Sequence, residues 1–404
     1  MSNKVRIELE QAIELIQKNV SPLKDTETIE IPNLCGRITS KEILSPIDVP
    51  LFDRSPLDGY ALCAIDTETA TKESPVQLKV IDSIVAGECS NKVVVPGTAV
   101  RLMTGAPIPK GADCVIRQEV TDCVEDMVYV KERLNPFQNY CYKGEDIKKG
   151  DTLVNAGEKL NYAHAGVLSG CGIKDVMVYK NVKVAIVITG DEIWVGQGDI
   201  PPGKIYSSNQ ALLQARLQGL GAEVVDISYC ADDSDALKEQ IKSSSQKADM
   251  VITTGGASVG CKDLIPHVMQ ELGATVIFHG VNLKPGTPVI FSIYNGVPII
   301  GLSGNPGAAI ITFELLGSAA LKILSGNKKT TLAYGSGVLD NGFLKASPVR
   351  RFLYAVQEDG SVHIGGGLHA SGAIAGIRGC NCLLDVPAGS DALKEGDRVR
   401  FVRL

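Results

Sequence analysis

The sequence predicts a multidomain chain of mixed class: a central, mostly parallel α/β domain flanked by β-rich N-terminal domains and a small C-terminal β domain. Three observations predict it. Between residues 182 and 324, continuous apolar runs of strand length alternate with segments of helix length, the pattern of a sheet covered on both faces. Between residues 29 and 178, short β-branched runs alternate with Gly and Pro punctuation such as Pro96-Gly97 and Lys110-Gly111. After Ser325-Gly326 the chain returns to short strands and glycines. A length of 404 residues leaves room for several domains, at about 100–200 residues each.

The elements follow in order. Val5, Leu9, Ala12, Ile13, Ile16 and Val20 recur at helical spacing, which predicts an amphipathic helix ending before Pro22. Residues 93–95 and 114–116 read as strands, and 162–169 as a helix. In the central segment, strands are expected at 184–188, 223–227, 250–253, 289–292 and 297–302. Helices are expected at 209–220, 234–245, 263–272 and 306–324. The last strand is placed at 398–402.

Composition removes several function classes. A formal net charge of -6 argues against a nucleic-acid binder, which needs a basic excess or stripe. It leaves room for an anionic small molecule held by backbone amides and a few lysines. The eleven cysteines are irregularly spaced and the chain has no secretory start, so reduced thiols in a cytoplasmic protein are the expectation. The longest apolar stretch, 308–324, contains Glu314 and is expected to be a buried helix and not a membrane span. The five histidines carry no signature, so no Ser–His–Asp or Cys–His catalytic set can be assembled.

Glycine loops carry the chemistry. Thr253-Thr254-Gly255-Gly256-Ala257-Ser258-Val259-Gly260 leaves a strand and precedes a helix. Glycines there let the backbone approach a ligand, and the amides with the following helix N-terminus can hold an anion. Ser258 adds a hydroxyl and Asp263 a carboxylate. Ser303-Gly304-Asn305-Pro306-Gly307 repeats the arrangement; Asn305 also suits an N-cap and Pro306 the first helical position, and both readings stay open. Lys284-Pro285-Gly286-Thr287-Pro288 offers a point charge on a stiff loop. Ligands bind outside the carboxyl ends of strands in such sheets, so the loops are expected to face one cleft. Carboxylates cluster nearby in sequence: Asp191, Glu192, Asp232, Asp233 and Asp263 follow strands, while Asp58 and Asp146 lie in N-terminal turns. They suggest a divalent cation bridging protein and phosphate, although Asp232-Asp233-Ser234 reads better as a helix cap.

These segments together resemble the molybdopterin molybdenumtransferase family, which includes the E domain of gephyrin. The resemblance is carried by Phe52-Asp53-Arg54-Ser55-Pro56-Leu57-Asp58-Gly59-Tyr60-Ala61, Arg101-Leu102-Met103-Thr104-Gly105-Ala106-Pro107 and Gly144-Glu145-Asp146-Ile147. It continues in Ile188-Thr189-Gly190-Asp191-Glu192, Ile205-Tyr206-Ser207-Ser208-Asn209, residues 255–260, Lys284-Pro285-Gly286 and Gly304-Asn305-Pro306. The order matches and the similarity spans nearly the whole chain.

The resemblance implies four domains: 1–51 with 141–180, an inserted β-rich domain at 52–140, the molybdopterin-binding α/β domain at 181–326, and the C-terminal β domain at 327–404. It implies insertion of molybdate into adenylylated molybdopterin with release of AMP, in a homodimer whose cleft is shared between protomers. On that pattern Gly255, Gly256, Ser258 and Asn305 hold the pterin adenylate. Asp58, Thr104 and Asp146 arrive from the partner. Glu192, Asp232 and Asp263 position substrate and a magnesium ion. Lys284, Thr287, Ser303, Ser371 and an arginine at Arg350 or Arg351 receive the oxyanion. Many relatives carry lysine where this chain has Gly280 and Thr287, and a serine where it has Ala308, so an altered oxyanion site is expected, with molybdate or tungstate as the cargo. A molybdopterin adenylyltransferase is an expected transient partner; that activity itself, and a gephyrin-like scaffold, are the alternative functions.

Overall fold

The computed structural model describes residues 6–256, 264–343, 345–366 and 370–404. At its centre lies a six-stranded sheet of β1 (Lys183–Thr189), β2 (Glu223–Cys230), β3 (Met250–Thr254), β4 (Thr275–His279), β5 (Ile290–Tyr294) and β6 (Val297–Leu302). The order across it is β2-β1-β3-β6-β5-β4. The first four are parallel, as their unbroken apolar runs predict; six of the seven residues of β1 and all five of β3 are buried. β5 and β4 add antiparallel at one edge. The reversal is written in Asn295-Gly296, both at positive φ, a two-residue hairpin turn. β4 is absent from the sequence expectations because its exposed Thr275 and Val276 dilute the apolar signal of an edge strand.

Helices cover both faces. α1 (Leu9–Asn19), α2 (Ser208–Gly219) and α5 (Pro306–Leu324) pack on one side; α3 (Ser234–Ser245) and α4 (Leu264–Glu271) pack on the other. α1 starts at Leu9, so its buried stripe is Leu9, Ala12 and Ile16, which joins the core of Val184, Ile186, Phe313 and Leu316. The N-terminal helix therefore belongs physically to the central layer. α5 is long and apolar enough to cross a membrane by length and composition, yet nearly all of it is buried in protein. Its Glu314 lies in a π-helical turn, Phe313–Gly317, and is held by Arg216 at 2.5 and 3.0 Å.

Two smaller units precede this layer. Thr26–Glu30 pairs with Asp175–Tyr179, and Ile43–Leu44 with Thr152–Val154; with the helix Tyr162–Gly170 they enclose Leu34, Leu160 and Leu168. Residues between them form a second six-stranded sheet of Gly59–Leu62, Val76–Ile84, Thr98–Leu102, Cys114–Arg117, Thr121–Val124 and Met127–Val130. The strand expected at 93–95 is not formed: Val93 and Val95 are exposed, and pairing starts at Thr98 after the Pro96-Gly97 turn. The C-terminal strands close into a five-stranded barrel ending at Arg398–Arg403. All ten described cysteines are free thiols.

Candidate active site

β1, β3 and β6 end side by side, and the loops that leave them border a cleft of about 820 Å³. The loops meet backbone to backbone. Gly255 has φ +93°, and a Cβ there would stand 2.4 Å from the Thr189 carbonyl oxygen; one built on Gly304 would stand 3.4 Å from the Gly255 Cα. Only glycine permits the first approach, and the second leaves peptide edges facing the cleft. The prediction that two glycine loops share one cleft is met by Gly255, Gly256, Ser303, Gly304 and Asn305, all of which line it. Ser258 and Asp263, called on the same loop, lie outside the described residues.

Asn305 occupies the N-cap position of α5 with Pro306 at its first turn, but its side chain makes no capping hydrogen bond. Structural capping therefore does not explain the asparagine, and its amide remains available on the cleft wall. The Ser303 hydroxyl accepts from the Asn305 N–H at 3.2 Å, which leaves its own proton to donate. Thr287 has spent its proton on the Leu283 carbonyl at 2.6 Å and can only accept. Thr287 nonetheless lines the cleft, as the sequence predicts.

Two cations line the cleft among the described residues, Lys284 and Arg351. An isolated parallel bridge sets them opposite each other, with Lys284 N–H donating to Arg350 O at 2.9 Å and Phe352 N–H to Lys284 O at 2.8 Å. The barrel thus delivers Arg351 to the α/β domain. Its neighbour Arg350 points away and is engaged by Asp385 at 2.8 and 2.9 Å and by Glu10 at 2.7 Å; alternation along the strand decides between the two arginines. Arg350 is therefore structural. Ser371 also lines the cleft, and its carbonyl accepts from the Ala308 N–H at 3.1 Å, tying the barrel to the start of α5.

The carboxylates divide similarly. Asp233 caps α3, accepting from the Ala236 N–H at 2.8 Å, whereas Asp232 lines the cleft. Capping fits the second aspartate and fails for the first. Asp191 fixes the first by accepting its backbone N–H at 3.2 Å. Glu192 lines the cleft too, and its main chain is pinned by the Ile193–Ile205 bridge. Gly190 gives its carboxylate room, since a Cβ there would fall 2.6 Å from Glu192 Oε2. Among the described residues, no three His, Cys, Asp or Glu side chains gather as a metal cage.

Asn209 has no role that its sequence context alone assigns. It is buried at the cleft edge, gives Nδ2 to Gly304 O at 2.9 Å, and keeps a buried Oδ1 with no partner. Its signal is the Ser207 N-cap two residues earlier, which starts α2 at the cleft.

Gly280, with φ +94° beside Arg6, does not itself line the cleft. Asp58, Thr104 and Asp146 do not line it either. They sit on a second surface, stitched together by backbone pairing of Arg54 with Cys141, Ser55 with Ala106 and Val49 with Asp146. Asp58 accepts from both the N–H and the hydroxyl of Thr104 at 2.7 Å, which holds its carboxyl below the usual aspartate range. Exposed Leu51, Phe52, Phe137 and Tyr142 surround this surface, with Phe137, Tyr140 and Tyr142 packed ring against ring.

Comparison with known proteins agrees with this geometry. Residues 7–172 match the model of the MoeA N-terminal region (domain I and II), and residues 185–323 that of a probable molybdopterin binding domain. The molybdopterin molybdenumtransferase of Staphylococcus aureus (strain COL) is 34% identical over 399 residues, 98% of this chain and 95% of that protein. Its counterpart in Staphylococcus epidermidis (strain ATCC 12228 / FDA PCI 1200) is 32% identical over the same shares. The structure of the molybdopterin biosynthesis moeA protein from Pyrococcus horikoshii OT3 superposes with a TM-score of 0.86 at 27% identity, covering 99% of this chain and 100% of that one. Another structure of a molybdopterin biosynthesis moeA protein gives 0.85 at 34% identity, covering 99% of both chains.

Proposed function

The chain belongs to the molybdopterin molybdenumtransferase family, and from that premise we propose how its cleft does the family's work. On this reading it inserts molybdate into adenylylated molybdopterin and releases AMP. One observation carries the assignment of the site. The loops after β1, β3 and β6 and the Lys284 loop converge on a cleft that also receives Arg351 from the barrel.

The adenylate lies along the glycine loops, its phosphate against the amides of Gly256 and Gly304. The pterin dithiolene is oriented by Asn305, and Asn209 holds the adjoining Gly304 carbonyl in place. Molybdate, a tetrahedral dianion, is received by Lys284, Arg351 and the Ser303 hydroxyl, with Ser371 beside them. Glu192 and Asp232 suit magnesium, which keeps waters and takes one or two carboxylates plus substrate phosphate. Such an ion supplies positive charge where AMP departs. With two cations and two committed or missing donors, this oxyanion pocket is leaner than a lysine-rich one, which favours a test of tungstate beside molybdate.

Asp58, Thr104 and Asp146 complete the cleft of a second protomer. The exposed aromatic and aliphatic side chains around them, Phe52 and Phe137 among them, are the contact surface of that homodimer. The protein works in the cytoplasm, where its thiols stay reduced, and takes its adenylylated substrate from a molybdopterin adenylyltransferase.

Incubation of the protein with adenylylated molybdopterin, magnesium and molybdate tests the reading. AMP appearing only with the oxyanion, together with molybdenum bound to pterin, is expected. Substrate bound but never cleaved would leave a scaffold.

A further inference from the structure

A second cavity, of about 370 Å³, opens at the other end of α5, where the small N-terminal unit rests on the α/β domain. Pro306 at the start of this 19-residue helix lines the active cleft and Lys322 near its end lines the second cavity, so the two lie roughly 24 Å apart at 1.5 Å per residue. Four cations line the second cavity, namely Arg37, Lys159, Lys180 and Lys322, and no aspartate or glutamate does so among the described residues.

The charges are not all consumed. Arg37 is paired with Glu27 at 2.5 Å, and Lys180 with Asp25 at 3.7 Å. Among the described residues, Lys159 and Lys322 have no ion-pair partner within 4.0 Å. Glu314, which attracts Lys322, is already held by Nε and Nη2 of Arg216. Most of the helix C-terminal carbonyls at the cavity are not free to receive the ammonium groups. α2 and α5 both end at this cavity, and three carbonyls of their last turns are already bonded: Gln218 O by Gly221 N–H at 3.0 Å, Ile323 O by Gly326 N–H at 2.9 Å, and Lys322 O by Asn327 N–H at 3.0 Å. Burial with Lys159 and Arg216 nearby pulls the Lys322 ammonium below the usual lysine range, a cost that a bound anion removes.

We propose that this cavity is a second ligand site, distinct from the molybdate cleft, that binds a phosphate monoester between Lys159 and Lys322. Its size falls within the roughly 300–1,000 Å³ of small-molecule sites, more than a bare phosphate needs. The Tyr179 ring and the aliphatic wall of Ile38, Val182 and Leu321 would cover the organic part. Because its walls come from two structural units, occupancy also fixes their seating on one another.

Cys35 makes the site readable without interference from the cleft. It is exposed and lines this cavity, while Cys89 and Cys123 are exposed elsewhere. The full-length protein is alkylated with iodoacetamide, and each cysteine is followed by mass spectrometry against added inorganic phosphate, AMP, or sodium chloride at matched ionic strength. Saturable slowing at Cys35 by phosphate or AMP, with Cys89 and Cys123 unchanged, is expected. Stronger protection by AMP than by phosphate identifies the monoester; equal protection reduces the site to one for the free ion and overturns the monoester assignment. Lys159→Gln, at an exposed position, and Lys159→Gln with Lys322→Gln should weaken protection progressively, by about tenfold for the pair, the loss expected for charged hydrogen bonds. Slowing that salt reproduces, or that survives both substitutions, would overturn the proposal.

Discussion

At the residue scale, neighbours of the same type do different jobs, and only their contacts separate them. Asp233 caps α3 while Asp232 faces the cleft. Asp233→Ala should cost about 1 kcal/mol of stability, a typical cap loss, and leave turnover largely intact. Asp232→Asn should leave the melting temperature unchanged and depress AMP release. Thermal melts beside an AMP assay check both, and the reverse outcome would exchange the roles. The glycines make a second contrast. Gly255→Ala puts a Cβ against the Thr189 carbonyl at φ +93°, so substrate binding should be lost, whereas Gly304→Ala meets only ordinary contact and should keep most of it. Asp58 gives a pH signature. Its carboxyl is lowered by two Thr104 donors, so its charged form and the stability it contributes persist above the ordinary aspartate value and are lost as pH falls through the lowered one. Thr104→Val removes one donor, raises that pKa toward normal, and should move the acid limb of the activity profile to higher pH.

At the element scale, much of the fold was legible because periodicity is a property of sequence. The helix at 234–245 falls where spacing placed it, and β1 and β3 are recognisable from buried runs. The edge strand β4 was not, because an exposed edge lacks that run, and Val93 and Val95 were mistaken for a strand because β-branching without a pairing partner makes none. Sequence could name the glycine loops and Lys284, yet could not choose Arg351 over Arg350, which depends on which way one strand faces. Nor could it find the orphan on Asn209, which exists only after packing. α5 carries its own test. Glu314 is buried in the π-helical turn with Arg216 as its partner. Glu314→Ala should cost about 3 kcal/mol by stranding the guanidinium, while Arg216→Met with Glu314→Leu should recover most of it. Denaturant midpoints of the two variants decide this, and equal losses would contradict it.

At the scale of the whole molecule, the site residues of one chain form two separate groups. Glu192, Asp232, Lys284 and Arg351 surround the cleft; Asp58, Thr104 and Asp146 lie on the stitched surface of the N-terminal units. On the proposed function both groups serve one reaction, and an isologous dimer would bring them together twice. Mixing two inactive variants measures this directly. Asp58→Asn and Asp232→Asn, unfolded and refolded together in equal amounts, should regain about a quarter of wild-type AMP release, because random pairing makes half the dimers mixed and each mixed dimer has one intact cleft. No recovery from a mixture shown to contain mixed dimers would contradict a cleft shared between protomers.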